Sequence, residues 1–124
     1  MTDKAAPQQG KHLLAELYEC ANLGDEALIG SALRAAATAA HATLLEVRLH
    51  GFGPGHGVTG VALLAESHMS IHTWPEHDYA AVDIFLCAPW HDLEAALHVL
   101  VQSLTAKRVE SRQLNRGFVS SNGP

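Results

Sequence analysis

Apolar and polar positions alternate along the chain with two different periods. His12 to Glu19 fits the two-residue period of a strand, although a helix is also compatible with it. Asn22 to Asp25 reads as a turn, with Asp25 placed to cap a helix over Glu26 to Ala40, where Leu28, Ala32, Ala35, Ala36 and Ala39 recur at helical spacing. Thr43 to His50 predicts a strand. Gly51 to Gly57, four glycines and a proline in seven positions, predicts a pliable loop. Strands are expected over Val58 to Glu66, Met69 to Trp74 and Tyr79 to Cys87, with Pro75 to Asp78 turning the chain. Pro89 to Thr105 predicts a second helix with Leu93, Leu97, Leu100, Val101 and Leu104 as its apolar stripe, and Lys107 to Leu114 a last strand. The order β-α-β-β-β-β-α-β predicts an α+β fold: a two-layer α/β sandwich, mostly antiparallel, with both helices on one face of the sheet. The other face then needs a cover, and a second copy of the chain is the simplest one.

Composition narrows the class. The 124 residues favour one domain, expected over residues 11–117 between flexible tails at 1–10 and 118–124. Hydrophobic residues make up 48% and charged residues 17%, the balance of a globular protein. Thirteen acidic against eight basic residues give a net charge of −5, which argues against nucleic acid as the main partner and leaves room for a small cationic ligand. No apolar run approaches the roughly 20 residues that span a bilayer, so no membrane role is expected. The first ten residues lack the apolar core of a secretory signal. Cys20 and Cys87 are too few for a disulfide framework, and a cytoplasmic location is expected.

Chemistry-bearing residues concentrate in Glu66-Ser-His-Met-Ser-Ile-His-Thr-Trp-Pro-Glu76 and in Asp83 and Cys87. In extended chain His72, Trp74 and Glu76 share one face, and the next antiparallel strand can bring Cys87 alongside. Three readings compete at this level. A zinc site would use His68 and His72, but a spacing of four converges on a metal from a helix, not from a strand, and Cys-x-x-Cys is absent. A nucleophilic triad would use Ser67, His68 or His72, and Asp83, without the Gly-x-Ser-x-Gly elbow that usually exposes such a serine. The third reading is a polar patch or His-rich ligand-binding module on a small sandwich. Asp83, set in an apolar run, needs a partner if buried.

The full run, continued by Tyr79-Ala-Ala-Val-Asp-Ile-Phe-Leu-Cys87, closely resembles the prokaryotic S-adenosylmethionine decarboxylases, the pyruvoyl-dependent enzymes of polyamine synthesis; the resemblance extends from about Lys11 to Arg108. It implies a two-layer sandwich that dimerises, with active sites near the subunit interface. It also implies self-cleavage at Glu66–Ser67 into fragments 1–66 and 67–124. Ser67 would attack the Glu66 carbonyl to give an ester, and loss of the Ser67 α-proton would lead to a pyruvoyl group capping the second fragment. No metal or external cofactor is then required, because the ketone condenses with the amine of a small amino-acid substrate and serves as the electron sink. By the same resemblance His72 matches the base of self-cleavage, Thr59 a processing hydroxyl, and Cys87 the thiol that returns a proton to the substrate carbon. Phe52 matches an aromatic stacked on adenine and Glu76 a carboxylate gripping the ribose. Trp74 is a further candidate, for cation–π contact with the substrate sulfonium.

One segment departs from the family. In His50-Gly-Phe-Gly-Pro-Gly-His-Gly-Val-Thr-Gly60, Gly51 replaces a basic or polar residue, the glycine run is one residue longer, and Thr59 replaces serine. Members of the same family act on ornithine or arginine, so those substrates form the alternative reading. His41, His56, His77, His91 and His98 receive no role from the sequence.

Overall fold

The computed structural model describes residues 9–117. Its elements are β1 (Gln9–Tyr18), α1 (Glu26–Ala39), β2 (Leu44–Gly51), β3 (Val58–Leu64), β4 (His68–Trp74), a 3-10 turn (Pro75–His77), β5 (Tyr79–Leu86), α2 (Leu93–Ser103) and β6 (Arg108–Gly117). The strands form one antiparallel sheet in the order β2-β3-β4-β5-β1-β6. Helix α1 packs on β2 and β3, α2 on β5 and β1, and the two helices against each other, so both cover one face. The expected α+β sandwich and its element order are therefore present. β1 starts at Gln9, two residues inside the stretch expected as an N-terminal tail; residues 1–8 and the C-terminal stretch 118–124 lie outside the described residues.

Local chemistry sets the helix bounds. The Asp25 side chain accepts the Leu28 N–H at 3.0 Å and starts α1, as its sequence position predicts. Asp92 does the same for α2 by accepting the Ala95 N–H at 2.9 Å. That cap delays α2 to Leu93, so Pro89 to His91 form a turn instead of the first helical turn.

Alternation divides the sheet cleanly. In β4 the residues Met69, Ile71 and Thr73 are buried against the helices, while His68, Ser70, His72 and Trp74 face the opposite, outer side. Thr73, 1% exposed, donates its hydroxyl to Leu23 O at 2.6 Å and accepts the Val58 N–H at 2.9 Å. The one polar group of that buried row is thus satisfied, where an orphaned hydroxyl would cost about 1–3 kcal/mol.

Two turns position the site. Pro75 ends β4 because it has no N–H to donate to the ladder, and Asp78 closes the turn in the left-handed region at φ 51°. The resulting register pairs Trp74 with Tyr79 and His68 with Phe85, which carries Cys87 to the level of Glu66. At the other end Leu64 and Ser67 exchange both backbone hydrogen bonds, at 2.9 and 3.2 Å, leaving Ala65 and Glu66 as a two-residue hairpin turn. No helix among the described residues is long and apolar enough to cross a membrane.

Candidate active site

The sequence-predicted residues gather in two clusters, one at each end of β4. The first is built around the hairpin turn. The Glu66 carboxylate accepts the Thr43 N–H and the Thr43 hydroxyl, each at 3.1 Å. These two bonds, the backbone one foremost, hold its carboxyl below the usual carboxylate range. The Cys87 thiol, exposed, lies 3.8 Å from the Glu66 carbonyl oxygen, and Ser67 Oγ lies 3.3 Å from His68 Nδ1. Cys87 therefore does not stand beside His72 and Trp74 as the simple alternation suggests. The Trp74–Tyr79 pairing forces it to the opposite end of the hairpin.

The second cluster lies where β4 meets the glycine loop. His72 Nδ1 is 2.6 Å from Thr59 Oγ1, its strand partner on β3. The His72 ring lies 5.9 Å from Phe52 and 4.2 Å from Trp74, and Trp74 stacks on Tyr79 at 5.2 Å. Trp74 is thus a ring on the outer face, outside the core. Phe52 is 52% exposed and presents a free aromatic surface. The loop that carries it is pinned: Phe52 N–H donates to Gly57 O at 3.0 Å and His56 N–H to Gly53 O at 2.9 Å. Gly53 adopts φ +109°, and any Cβ on Gly57 would meet the Thr73 carbonyl at 1.9 Å, so both positions need glycine. Glu76 does not continue the His72–Trp74 face. It sits exposed on the 3-10 turn, because Pro75 has already broken the strand.

Between the clusters the sheet face forms a concavity of about 440 Å³ whose lining includes Glu16, Ser70, His72, Asp83 and Arg112. Asp83 finds the partners its apolar surroundings demand, a hydrogen bond from Ser70 and a contact at 2.9 Å with His12 Nε2. At its edge Tyr79 donates its hydroxyl to Glu16, and that carboxylate, together with burial, pushes the phenol up to about 12. Among the described residues no three His, Cys, Asp or Glu side chains converge as a metal site requires. Ser67 and His72 are not brought together within one chain. Ser67 immediately precedes β4 and His72 lies five residues on, about 17 Å at about 3.3 Å per residue.

Residues 11–117 match the S-adenosylmethionine decarboxylase family model. The chain belongs to that family. It is 42% identical over 110 residues to an S-adenosylmethionine decarboxylase proenzyme of Thermomicrobium roseum, spanning 89% of this chain and 95% of that protein. It is 50% identical over 109 residues to one of Prochlorococcus marinus, spanning 86% of each. The crystal structure of the adenosylmethionine decarboxylase from Aquifex aeolicus superimposes with a TM-score of 0.83 at 36% identity, covering 96% of this chain and 99% of that one. In this S-adenosylmethionine decarboxylase fold the Glu66–Ser67 bond thus lies at the hairpin turn before β4, and His72 lies toward the other end of β4.

Two residues at the turn escape the sequence reading. Thr43 holds the Glu66 carboxylate, and His91, buried, stands 3.8 Å from it. Neither is near Glu66 in sequence, and no local pattern links them. The convergence comes from the turns after α1 and before α2, tied by Asp92 N–H to Ala40 O at 3.1 Å.

Proposed function

We propose that this chain cuts itself between Glu66 and Ser67 and then decarboxylates S-adenosylmethionine. The observation that carries the reading is the Glu66–Ser67 bond itself, held in a two-residue turn with a serine hydroxyl on one side and the Cys87 thiol against the Glu66 carbonyl. The Ser67 hydroxyl attacks that carbonyl carbon, the peptide C–N bond breaks, and Glu66 becomes esterified to Ser67 while the Ser67 nitrogen is freed as an amine. Removal of the Ser67 α-proton then expels the Glu66 carboxylate. Tautomerisation and hydrolysis release ammonia and leave a pyruvoyl group. Once formed, that group supplies the ketone that accepts electrons as carbon dioxide leaves.

The remaining residues divide by cluster. Cys87 sits at the cleavage end, where its thiol can protonate the substrate carbon. His72, its ring fixed by Thr59, is the base for the Ser67 α-proton. A separation of about 17 Å within one chain supports its action on the Ser67 of a second copy. Two copies packed outer face to outer face about a two-fold axis near Ser70, perpendicular to the strands, bring the His72 end of one against the Ser67 end of the other. Leu14, Val61, Leu63 and Leu114 on that face supply apolar surface for such a homodimer. Phe52, Trp74 and Glu76 then flank the partner's cleavage turn. They offer a stacking surface for adenine, a ring face for the sulfonium and a carboxylate for the ribose hydroxyls.

Two measurements follow. Carbon dioxide release from carboxyl-labelled S-adenosylmethionine is expected to exceed that from ornithine or arginine by about tenfold or more in kcat/KM. The smaller amino acids lack the remote contacts that position the carboxylate. Faster release from either would overturn the substrate assignment and leave the cleavage chemistry standing. Cys87→Ala is expected to be cut at a substantial fraction of the wild-type rate, yet to lose about 100-fold or more in turnover, in the range of a lost proton donor. Normal turnover of this variant would remove Cys87 from its role.

A further inference from the structure

The turn before α2 carries a side chain that the proposed chemistry does not use. The His91 side chain has 0% exposure, and its Nε2 has no hydrogen-bond partner among the described residues. The other ring nitrogen, Nδ1, accepts the Ala88 N–H at 3.0 Å, which leaves the ring proton on Nε2. That N–H is buried without an acceptor, a costly arrangement that calls for a reason. It faces the Glu66 carboxylate, with Nε2 3.8 Å from Oε2. A shift of about 1 Å would close the gap to a hydrogen bond. On its other side the same carboxylate is held by the Thr43 N–H and hydroxyl, and Ala65 N–H donates to Thr43 O at 2.9 Å. The scissile residue is thus seated between two segments that are remote in sequence.

We propose that His91 is a positioning residue for self-cleavage: its Nε2–H and Thr43 form a socket for the Glu66 side chain that holds the Glu66 carbonyl in place for attack by Ser67. The inference rests on the self-cleavage reading and adds a step to it. The socket grips the acyl side of the bond, whereas the α-proton removed later belongs to Ser67. Loss of His91 therefore slows formation of the ester and leaves its elimination untouched.

Two substitutions separate the contacts of the ring. His91→Asn keeps an acceptor for the Ala88 N–H but falls short of Glu66. His91→Gln reaches Glu66 with its amide N–H but gives up the Ala88 contact. Cleavage is followed by intact mass in freshly translated protein, with thermal unfolding to show that each variant is folded. His91→Asn is expected to slow cleavage about tenfold or more, in line with the cost of misplacing a reacting group by about 1 Å, and His91→Gln to stay within about threefold of wild type. The step is read with hydroxylamine, which cleaves esters. A His72→Ala chain stalls at the ester and is cut by hydroxylamine; adding His91→Asn is expected to slow that cut about tenfold as well. If His91→Asn does not fold, Thr43→Val, which removes only the hydroxyl arm of the socket, carries the same test. Cleavage of the folded Asn variant at the wild-type rate, equal slowing of the Asn and Gln variants, or an unchanged rate in Thr43→Val would overturn the socket. Wild-type protein that never cleaves would overturn the self-cleavage reading, and the socket with it.

Discussion

Ser67→Ala protein is expected to remain one chain of 124 residues, while the wild type separates into fragments 1–66 and 67–124, the second with a blocked terminus. The effect is all or none because alanine has no hydroxyl to attack the Glu66 carbonyl, and no other residue of the turn carries one. Stability is a separate matter. Ser67 is only partly buried, and the contact of its hydroxyl with His68, at 3.3 Å, is a weak one. Its loss should change folding free energy by no more than about 0.5–1 kcal/mol. Intact-mass measurement gives the cleavage state and a thermal melt gives the fold. A wild-type chain that stays whole under all conditions, or a Ser67→Ala chain that is cut at residue 66, would sink the proposed chemistry.

The second large effect separates one copy from two. His72→Ala and Ser67→Ala chains are each expected to stay uncut, or nearly so, when produced alone. Produced together with distinguishable tags, they form mixed dimers in which the His72→Ala chain keeps its Ser67 and faces an intact His72. That chain alone is then expected to be cut, in up to about half of the His72→Ala molecules if the two chains pair at random. The reason is the strand itself: about 3.3 Å per residue over five residues puts Ser67 and His72 out of contact in any regular strand. If no His72→Ala chain is cut in the mixture although mixed dimers are present, His72 does not act across the interface, and its role as the base loses its geometric support.

Much of the fold was legible in the residues. Alternation in Met69 to Trp74 and Tyr79 to Leu86 places one row against the helices and the other outside, because side chains along a strand must take opposite faces. Asp25 marks the start of α1 for an equally local reason, an oxygen that satisfies an end N–H. Local reasoning failed where a break intervenes or where a register must be known. Glu76 keeps the two-residue spacing from Trp74, but Pro75 ends the strand between them. Alternation allows the next strand to bring Cys87 alongside His72 and Trp74, yet the tight turn before Tyr79 fixes the pairing and sends Cys87 to Glu66.

By itself the sequence determined the family and the residues on which the proposed chemistry rests: a Glu66–Ser67 bond, a histidine and a thiol in a run specific enough to imply that family, and a strand pattern that puts His72 and Trp74 on one face. Those features depend on residue identity and on periods of two and 3.6, which act over a few positions. Only the tertiary structure decided that the site is divided between the two ends of a hairpin. It also brought Thr43 and His91 to Glu66, and it joined Asp83 to His12 across 71 positions of sequence. Such contacts depend on strand order, on the register set by tight turns and on where α1 and α2 are capped. None of these leaves a mark on the residues that finally meet.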